Sequence, residues 1–208
     1  MQHARFFSKR QQKSDLCSWT HFYLSFTECG YDAGMERPNN YAFIDSQNLN
    51  LAVRDLGWEL DFARFRIYLE EKYHVRKAYL FIGYVRKNVA LYRSLRKKGF
   101  VVVFKPTLCG ADGRVKGNCD AELVLQAMID YDSYNQAIIV TGDGDFACLV
   151  RFLVQNRKLE ALIVPNRHKA SALLVMRMFR PFLRSMNDLR EKLEYIKEKA
   201  LQGRNLEG

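Results

Sequence analysis

The sequence predicts an α/β protein: an open parallel sheet with helices on both faces. Three observations lead there. Short apolar, β-rich runs alternate with stretches of helical period between residues 41 and 164, and strands alternating with helices of this length mean β-α-β units. The run Phe100 to Phe104 is apolar without alternation, as expected for a strand buried on both faces. Aspartates stand directly after the first and fourth runs, where open parallel sheets present ligands.

The first strand is Tyr41-Ala42-Phe43-Ile44-Asp45. Asp61 can N-cap a helix whose inner face is Phe62, Phe65, Leu69 and Tyr73. Residues 78–85 form the second strand. Residues 87–98 read as a helix with Leu91, Tyr92 and Leu95 inward and Arg93, Arg96, Lys97 and Lys98 outward, closed by Gly99 as a C-cap. Residues 100–104 are the third strand, followed by a polar loop from Pro106 to Asn118. A helix over 120–131 turns Leu123, Val124, Ala127, Met128 and Tyr131 inward. Residues 137–141 and 160–164 are the fourth and fifth strands, separated by a helix over 146–156 with Phe146, Leu149, Val150, Leu153 and Val154 inward. From Ala170 the chain reads as helical. Leu189, Leu193, Ile196 and Ala200 line one face of its last segment, which either packs back on the domain or makes a homodimer contact. The expected division is an N-terminal extension over 1–39, a domain over 40–185 and a helical tail over 186–208. The extension is a poor signal peptide, since His21 interrupts its apolar stretch.

With 208 residues, 48% of them hydrophobic and 27% charged, the chain is ordinary globular material. Its apolar runs are too short to span a membrane. Five cysteines at 17, 29, 109, 119 and 148 lack C-x-x-C spacing, which fits unpaired thiols in a reducing cytoplasm. The histidines at 3, 21, 74 and 168 lack metal-ligand spacing. The net charge of +10 points to polyanionic partners. It is unevenly spread: residues 54–98 carry 12 basic against 5 acidic side chains, residues 99–144 carry 3 against 6, and residues 145–208 carry 13 against 7. An acidic centre between basic flanks suits a cation held beside a phosphate backbone.

The acidic centre has a specific composition. In a strand order such as 3-2-1-4-5, Asp45, Asp143 and Asp145 converge, and Asp120 reaches the same point from the start of its helix. Clustered carboxylates repel, and a hard divalent cation such as Mg²⁺ or Mn²⁺ relieves the repulsion. Taken singly, Asp45 and Asp120 are equally good helix caps, and Gly142-Asp143-Gly144-Asp145 is a plausible turn. No G-x-G-x-x-G follows the first strand and no G-x-x-x-x-G-K-[ST] occurs, which argues against dinucleotide and P-loop sites. Gln47 stands where a phospho-aspartate phosphatase would carry its second Asp.

Phe43-Ile44-Asp45-Ser46-Gln47-Asn48-Leu49-Asn50, Lys116-Gly117-Asn118-Cys119-Asp120-Ala121-Glu122-Leu123 and the run 140–150, VTGDGDFACLV, occur in that order. Together they resemble the three motifs of NYN domains, the LabA-like branch of the PIN-like nucleases, over about residues 40–190. The resemblance implies a three-layer α/β/α PIN-like fold and a metal-dependent ribonuclease site. It makes Asp45, Asp120, Asp143 and Asp145 the acidic, metal-holding set, with Asn48 beside them. Asp45 and Asp143 would be direct ligands, and Asn48 would bond a ligand or the scissile phosphate. Lys116 would hold a neighbouring phosphate, and Thr141, Arg93, Arg96 and Lys97 would complete the nucleic-acid contacts. Thr141 stands where Ser is common and keeps the hydroxyl; Ser46 replaces a frequent Gly. The expected activity is cytoplasmic, Mg²⁺- or Mn²⁺-dependent cleavage of RNA, preferably single-stranded. A non-catalytic RNA-binding module is the alternative, and a metal-dependent phosphatase acting on a small substrate is a weaker one.

Overall fold

A computed structural model describes residues 37–105, 108–109, 115–116 and 120–196. The described residues other than Arg37 belong to one compact unit that begins at Pro38. Its strands are β1 (Asn40–Asp45), β2 (Val75–Gly83), β3 (Phe100–Lys105), β4 (Leu108–Cys109), β5 (Val115–Lys116), β6 (Ala137–Val140), β7 (Leu159–Val164) and β8 (Leu183–Ser185). Its helices are α1 (Ser46–Asp55), α2 (Phe62–Tyr73), α3 (Val89–Lys97), α4 (Asp120–Ile129), α5 (Ala147–Gln155) and α6 (Arg190–Leu193).

The main sheet runs β3-β2-β1-β6-β7-β8, and every neighbouring pair in it is parallel. The expected order 3-2-1-4-5 is therefore present and extended by one strand. β4 and β5 form a separate two-stranded antiparallel ladder within the predicted polar loop.

The pleat sends alternate side chains to opposite faces, and each face has its own core. Phe43, Tyr79, Phe81, Ile139 and Leu162 pack under Leu123 and Ala127 of α4 and Leu149, Val150 and Leu153 of α5. Ala42, Ile44, Leu80, Val140 and Ile163 face the other way, toward Leu49 and Val53 of α1, Phe65 and Leu69 of α2, Leu95 of α3 and Leu193 of α6. Helices on both faces of a parallel sheet make the three-layer α/β/α architecture, consistent with a PIN-like fold.

Local chemistry sets several boundaries. Asp61 caps α2 as expected, its Oδ1 accepting from the amides of Ala63 at 2.8 Å and Arg64 at 3.3 Å. Gly99 has φ +87°, the left-handed conformation that lets the chain turn from α3 into β3 without a Cβ clash. No helix among the described residues is long and apolar enough to cross a membrane.

The structure corrects several expectations. The first crossover holds two helices, not one, because α1 starts at Ser46, directly after β1. Leu91 points outward, 43% exposed; α3 buries only Tyr92 and Leu95. β3 stands at the sheet edge, as the expected order has it, but it is not buried on both faces: Val101 is 41% exposed. Met128 is an exposed residue of α4. After β7 the chain is not a continuous helix. It passes through a 3-10 turn at Arg177–Phe179, then β8, then a second 3-10 turn at Asn187–Leu189, and α6 spans only four residues. Pro181 has no amide proton to continue a helix, and the three residues of β8 pair with Leu162, Ile163 and Val164. Met186 and Leu193 are buried in the α1-side core, while Ile196 is exposed. The Asp61 amide donates to the Leu193 carbonyl and the Tyr195 amide to that of Glu59, both at 2.8 Å, which ties the α6 segment to the α1–α2 turn.

Candidate active site

β1 and β6 are neighbours, with Ile44 opposite Val140, so the residues that follow them share the C-terminal edge of the sheet. Asp45 is the N-cap of α1. Its Oδ1 accepts from the amides of Gln47 at 3.1 Å and Asn48 at 3.2 Å. Its Oδ2 accepts from the Thr141 hydroxyl at 3.4 Å. That hydroxyl in turn accepts from the Asp143 amide at 3.1 Å. Thr141 is fully buried, so its hydroxyl serves only protein partners as both donor and acceptor. One buried oxygen thus links the first aspartate to the backbone of the third.

Asn48 makes the second link. Its Oδ1 accepts from the Gly142 amide at 2.7 Å, joining the first turn of α1 to the loop after β6. A Cβ at Gly142 would lie 3.2 Å from that oxygen. The expected contact of Asn48 with a ligand or phosphate is therefore left to its amide nitrogen. Ser46, at the position where Gly is common, is buried, and its hydroxyl accepts from Nδ2 of Asn50 at 3.2 Å.

Asp143 and Asp145 flank a tight turn. Oδ1 of Asp143 accepts from the Asp145 amide at 3.0 Å and starts the 3-10 turn Gly144–Phe146, which leads into α5. Asp145 is exposed. The segment after β7 closes over this turn. The Ser171 amide donates to the Gly142 carbonyl at 2.9 Å, and Ser171 packs so tightly on Gly144 that a Cβ there would meet its Oγ at 2.3 Å. Ser171 was not foreseen from sequence, because nothing local marks a serine 27 residues downstream of Gly144 as its packing partner.

α4 begins at Asp120 and packs against β1 and the Gly144–Phe146 turn, which directs its N-terminal end to the same edge. The side chains of Asp120 and Lys116 lie outside the described residues. Glu122, in the first turn of α4, has a buried Oε2 with no hydrogen-bond partner among the described residues. It shares a helical stripe with Gln126 and Asp130, and both of these bond the Tyr79 hydroxyl on β2. Among the described residues no three His, Cys, Asp or Glu side chains come together as a metal-binding group. The described site is thus Asp45, Thr141, Asn48, Gly142 and Asp143, with Asp145 at its rim. Its carboxylate oxygens are hard donors of the kind Mg²⁺ and Mn²⁺ take.

The NYN domain family model matches residues 41–177, most of the chain and all three motif segments. The chain belongs to the NYN domain family. NYN domains fall in the PIN-like nuclease superfamily, whose members are generally hydrolases and typically use divalent metals. A solved structure similar to this one, at 23% identity and TM-score 0.60, is that of a protein of unknown function from Vibrio parahaemolyticus; the match covers 76% of this chain and 99% of that one. No match was found among curated proteins.

The NYN domain carries exposed basic residues on two segments. Arg93, Arg96 and Lys97 are exposed on α3, and none of Arg86, Lys87, Arg93 and Lys97 forms an ion pair among the described residues. On the other flank Arg167 faces Asp188 at 3.9 Å and Lys169 bonds Asp55 at 2.7 Å.

Proposed function

We propose that this NYN domain is a cytoplasmic, Mg²⁺- or Mn²⁺-dependent endoribonuclease acting on single-stranded RNA. The observation that carries the reading is the hydroxyl relay from Asp45 through Thr141 to the Asp143 backbone. It fixes two acidic loops from different ends of the sequence at one sheet edge, within a family of nucleases.

Asp45 and Asp143 would hold the ion, with Asp120 and Asp145 supporting it. When bound, the ion supplies Lewis-acid polarisation of the phosphodiester and activation of water. The protein's own part is positioning. Thr141 and the α1 amides hold the Asp45 carboxylate in one orientation, so little reorganisation accompanies reaction. Asn48 locks the loop that carries Asp143, and its amide nitrogen remains to donate to a phosphate oxygen. Lys116, Arg93, Arg96 and Lys97 would neutralise neighbouring phosphates, which makes binding salt-dependent.

One observation favours a second reading. Asp45 and Asp143 each spend an oxygen on capping backbone amides, as they would in an RNA-binding module that does not cut. Incubation of labelled single-stranded RNA with Mn²⁺, Mg²⁺ or EDTA separates the two. The nuclease reading expects metal-dependent cleavage that Asp143→Asn abolishes. Tight binding without cleavage under any of these conditions would select the second reading.

A further inference from the structure

We propose that Arg167 takes a backbone phosphate of RNA bound at the aspartate edge, which makes the turn after β7 one side of the substrate path; the proposal rests on the RNA-binding reading above. β7 runs beside β6, with Val140 opposite Ile163, and the Thr141 amide donates to the Ile163 carbonyl at 3.1 Å. The chain therefore leaves β7 at the same sheet edge as Asp143. It then crosses that edge: Lys169 bonds Asp55 of α1, the Ser171 amide bonds the Gly142 carbonyl, and Leu174 enters the core on the α5 face. Arg167 stands four residues before Ser171, at most about 14 Å of chain from the aspartate turn.

Two asparagines hold the turn. Asn166 is only 5% exposed; its Oδ1 accepts from the His168 amide at 3.0 Å and its carbonyl from the Lys169 amide at 3.1 Å. Oδ1 of Asn187 accepts from the Arg167 amide at 2.9 Å and from the Ser185 hydroxyl at 2.6 Å. Three successive amides are thus satisfied within the protein, while Arg167 and His168 stand exposed. What this scaffold fixes is the backbone beneath an exposed cation, so an anion that meets it there has little of the chain to order.

Among the charges of the turn, Arg167 is the one best placed to take a new partner. Lys169 is held by Asp55 at 2.7 Å. Arg167 meets Asp188 only at 3.9 Å, with 55% and 76% of the two side chains exposed, a pair that solvent screens to little value. Its Nε also donates to Nε2 of His168 at 3.4 Å. The guanidinium is a planar fork with five donors, and it bonds phosphate oxygens two at a time. One exposed guanidinium holds a free phosphate weakly. It adds more to a polyanion already held beside it, because the next phosphate arrives at high effective concentration.

The test uses the full chain in EDTA, so binding is read without cleavage. Fluorescence anisotropy follows a short end-labelled oligouridylate across a series of KCl concentrations. Each phosphate neutralised on a single strand contributes about 0.7 to the slope of log affinity against log salt. Arg167→Gln is expected to flatten the wild-type slope by about 0.7, and Arg167→Lys, which keeps the charge, to retain it. Arg157→Gln removes the same charge from the exposed turn between α5 and β7, at the opposite edge of the sheet, and is expected to keep the wild-type slope. A wild-type slope in Arg167→Gln, or equal flattening in Arg157→Gln, overturns the phosphate contact and leaves the RNA reading standing. If wild type does not bind the oligouridylate, both fall together.

Discussion

Gly144→Ala tests whether the loop after β7 positions the aspartate turn. The added Cβ would sit 2.3 Å from Oγ and 3.0 Å from Cβ of Ser171, and 3.2 Å from Cδ1 of Leu173. Leu173 can swing away, but Ser171 is held by its amide bond to the Gly142 carbonyl. Rotation about χ1 can move Oγ, but Cβ of Ser171 follows the backbone, so full relief still needs that segment to give. Overpacking of this kind costs about 1–3 kcal/mol. At roughly 2–4 °C per kcal/mol for a domain of this size, the melting temperature should fall by about 2–12 °C. The φ of Gly144 is not in the left-handed region, so contact with Ser171 is the cause and can be isolated. In a Ser171→Gly background the clashing Oγ and Cβ are gone, and adding Gly144→Ala should cost less than about 0.5 kcal/mol, a coupling of at least about 1 kcal/mol in a double-mutant cycle. Differential scanning calorimetry of the four proteins measures it. The single variant should also lose metal-dependent cleavage, because Asp143 and Asp145 flank the displaced residue. Equal costs of Gly144→Ala in both backgrounds would refute the packing argument.

Thr141→Val removes the hydroxyl relay at nearly constant shape and leaves the Asp143 amide without its partner. It should destabilise by about 1–3 kcal/mol and abolish cleavage, whereas Thr141→Ser should retain both; equal thermal melts for the two variants would dismiss the relay. Asp143→Asn keeps an oxygen to cap the Asp145 amide, so in EDTA its melting temperature should be no lower than that of wild type. Mn²⁺ should raise the wild-type melting temperature by mass action, and an equal rise in the variant would place the ion elsewhere. Burial raises the Tyr73, Tyr79 and Tyr134 hydroxyls above their ordinary value near 10, and the Asp130 carboxylate contributes at Tyr79. Stability from these protonated groups is complete below pH of about 10 and lost as pH rises through their folded values. Ultraviolet titration should therefore show a class of tyrosines that ionise only with unfolding; a single transition near the free-tyrosine value would contradict it.

Much of the fold was legible because its signals are local. Asp61 followed by Phe62, Phe65 and Leu69 specifies a capped helix from one short window. The apolar runs 41–44, 137–140 and 160–164 can only be strands of a covered sheet, and the crossovers between them fix their direction and neighbours. The three motif segments likewise lie within the stretch that the NYN domain model matches. What the sequence could not supply were contacts between distant residues. Asp45 and Thr141 are 96 apart, and Asn48 and Gly142 are 94 apart, so the motifs show no sign that one staples the other. β8 reads as helix from its neighbours, yet the exposed edge of β7 offers unpaired amides and carbonyls that only a strand can satisfy. Leu91 fits a helical stripe, but α3 rests on an edge strand with too little sheet beneath it to cover that stripe. Tyr84 reads as part of the strand over 78–85, yet β2 ends at Gly83 and the Tyr84 ring packs on Tyr92 and Phe104. Local propensity and capping chose the elements and their order. Long-range packing decided which face each one buries, where the sheet ends, and which side chains meet at its edge.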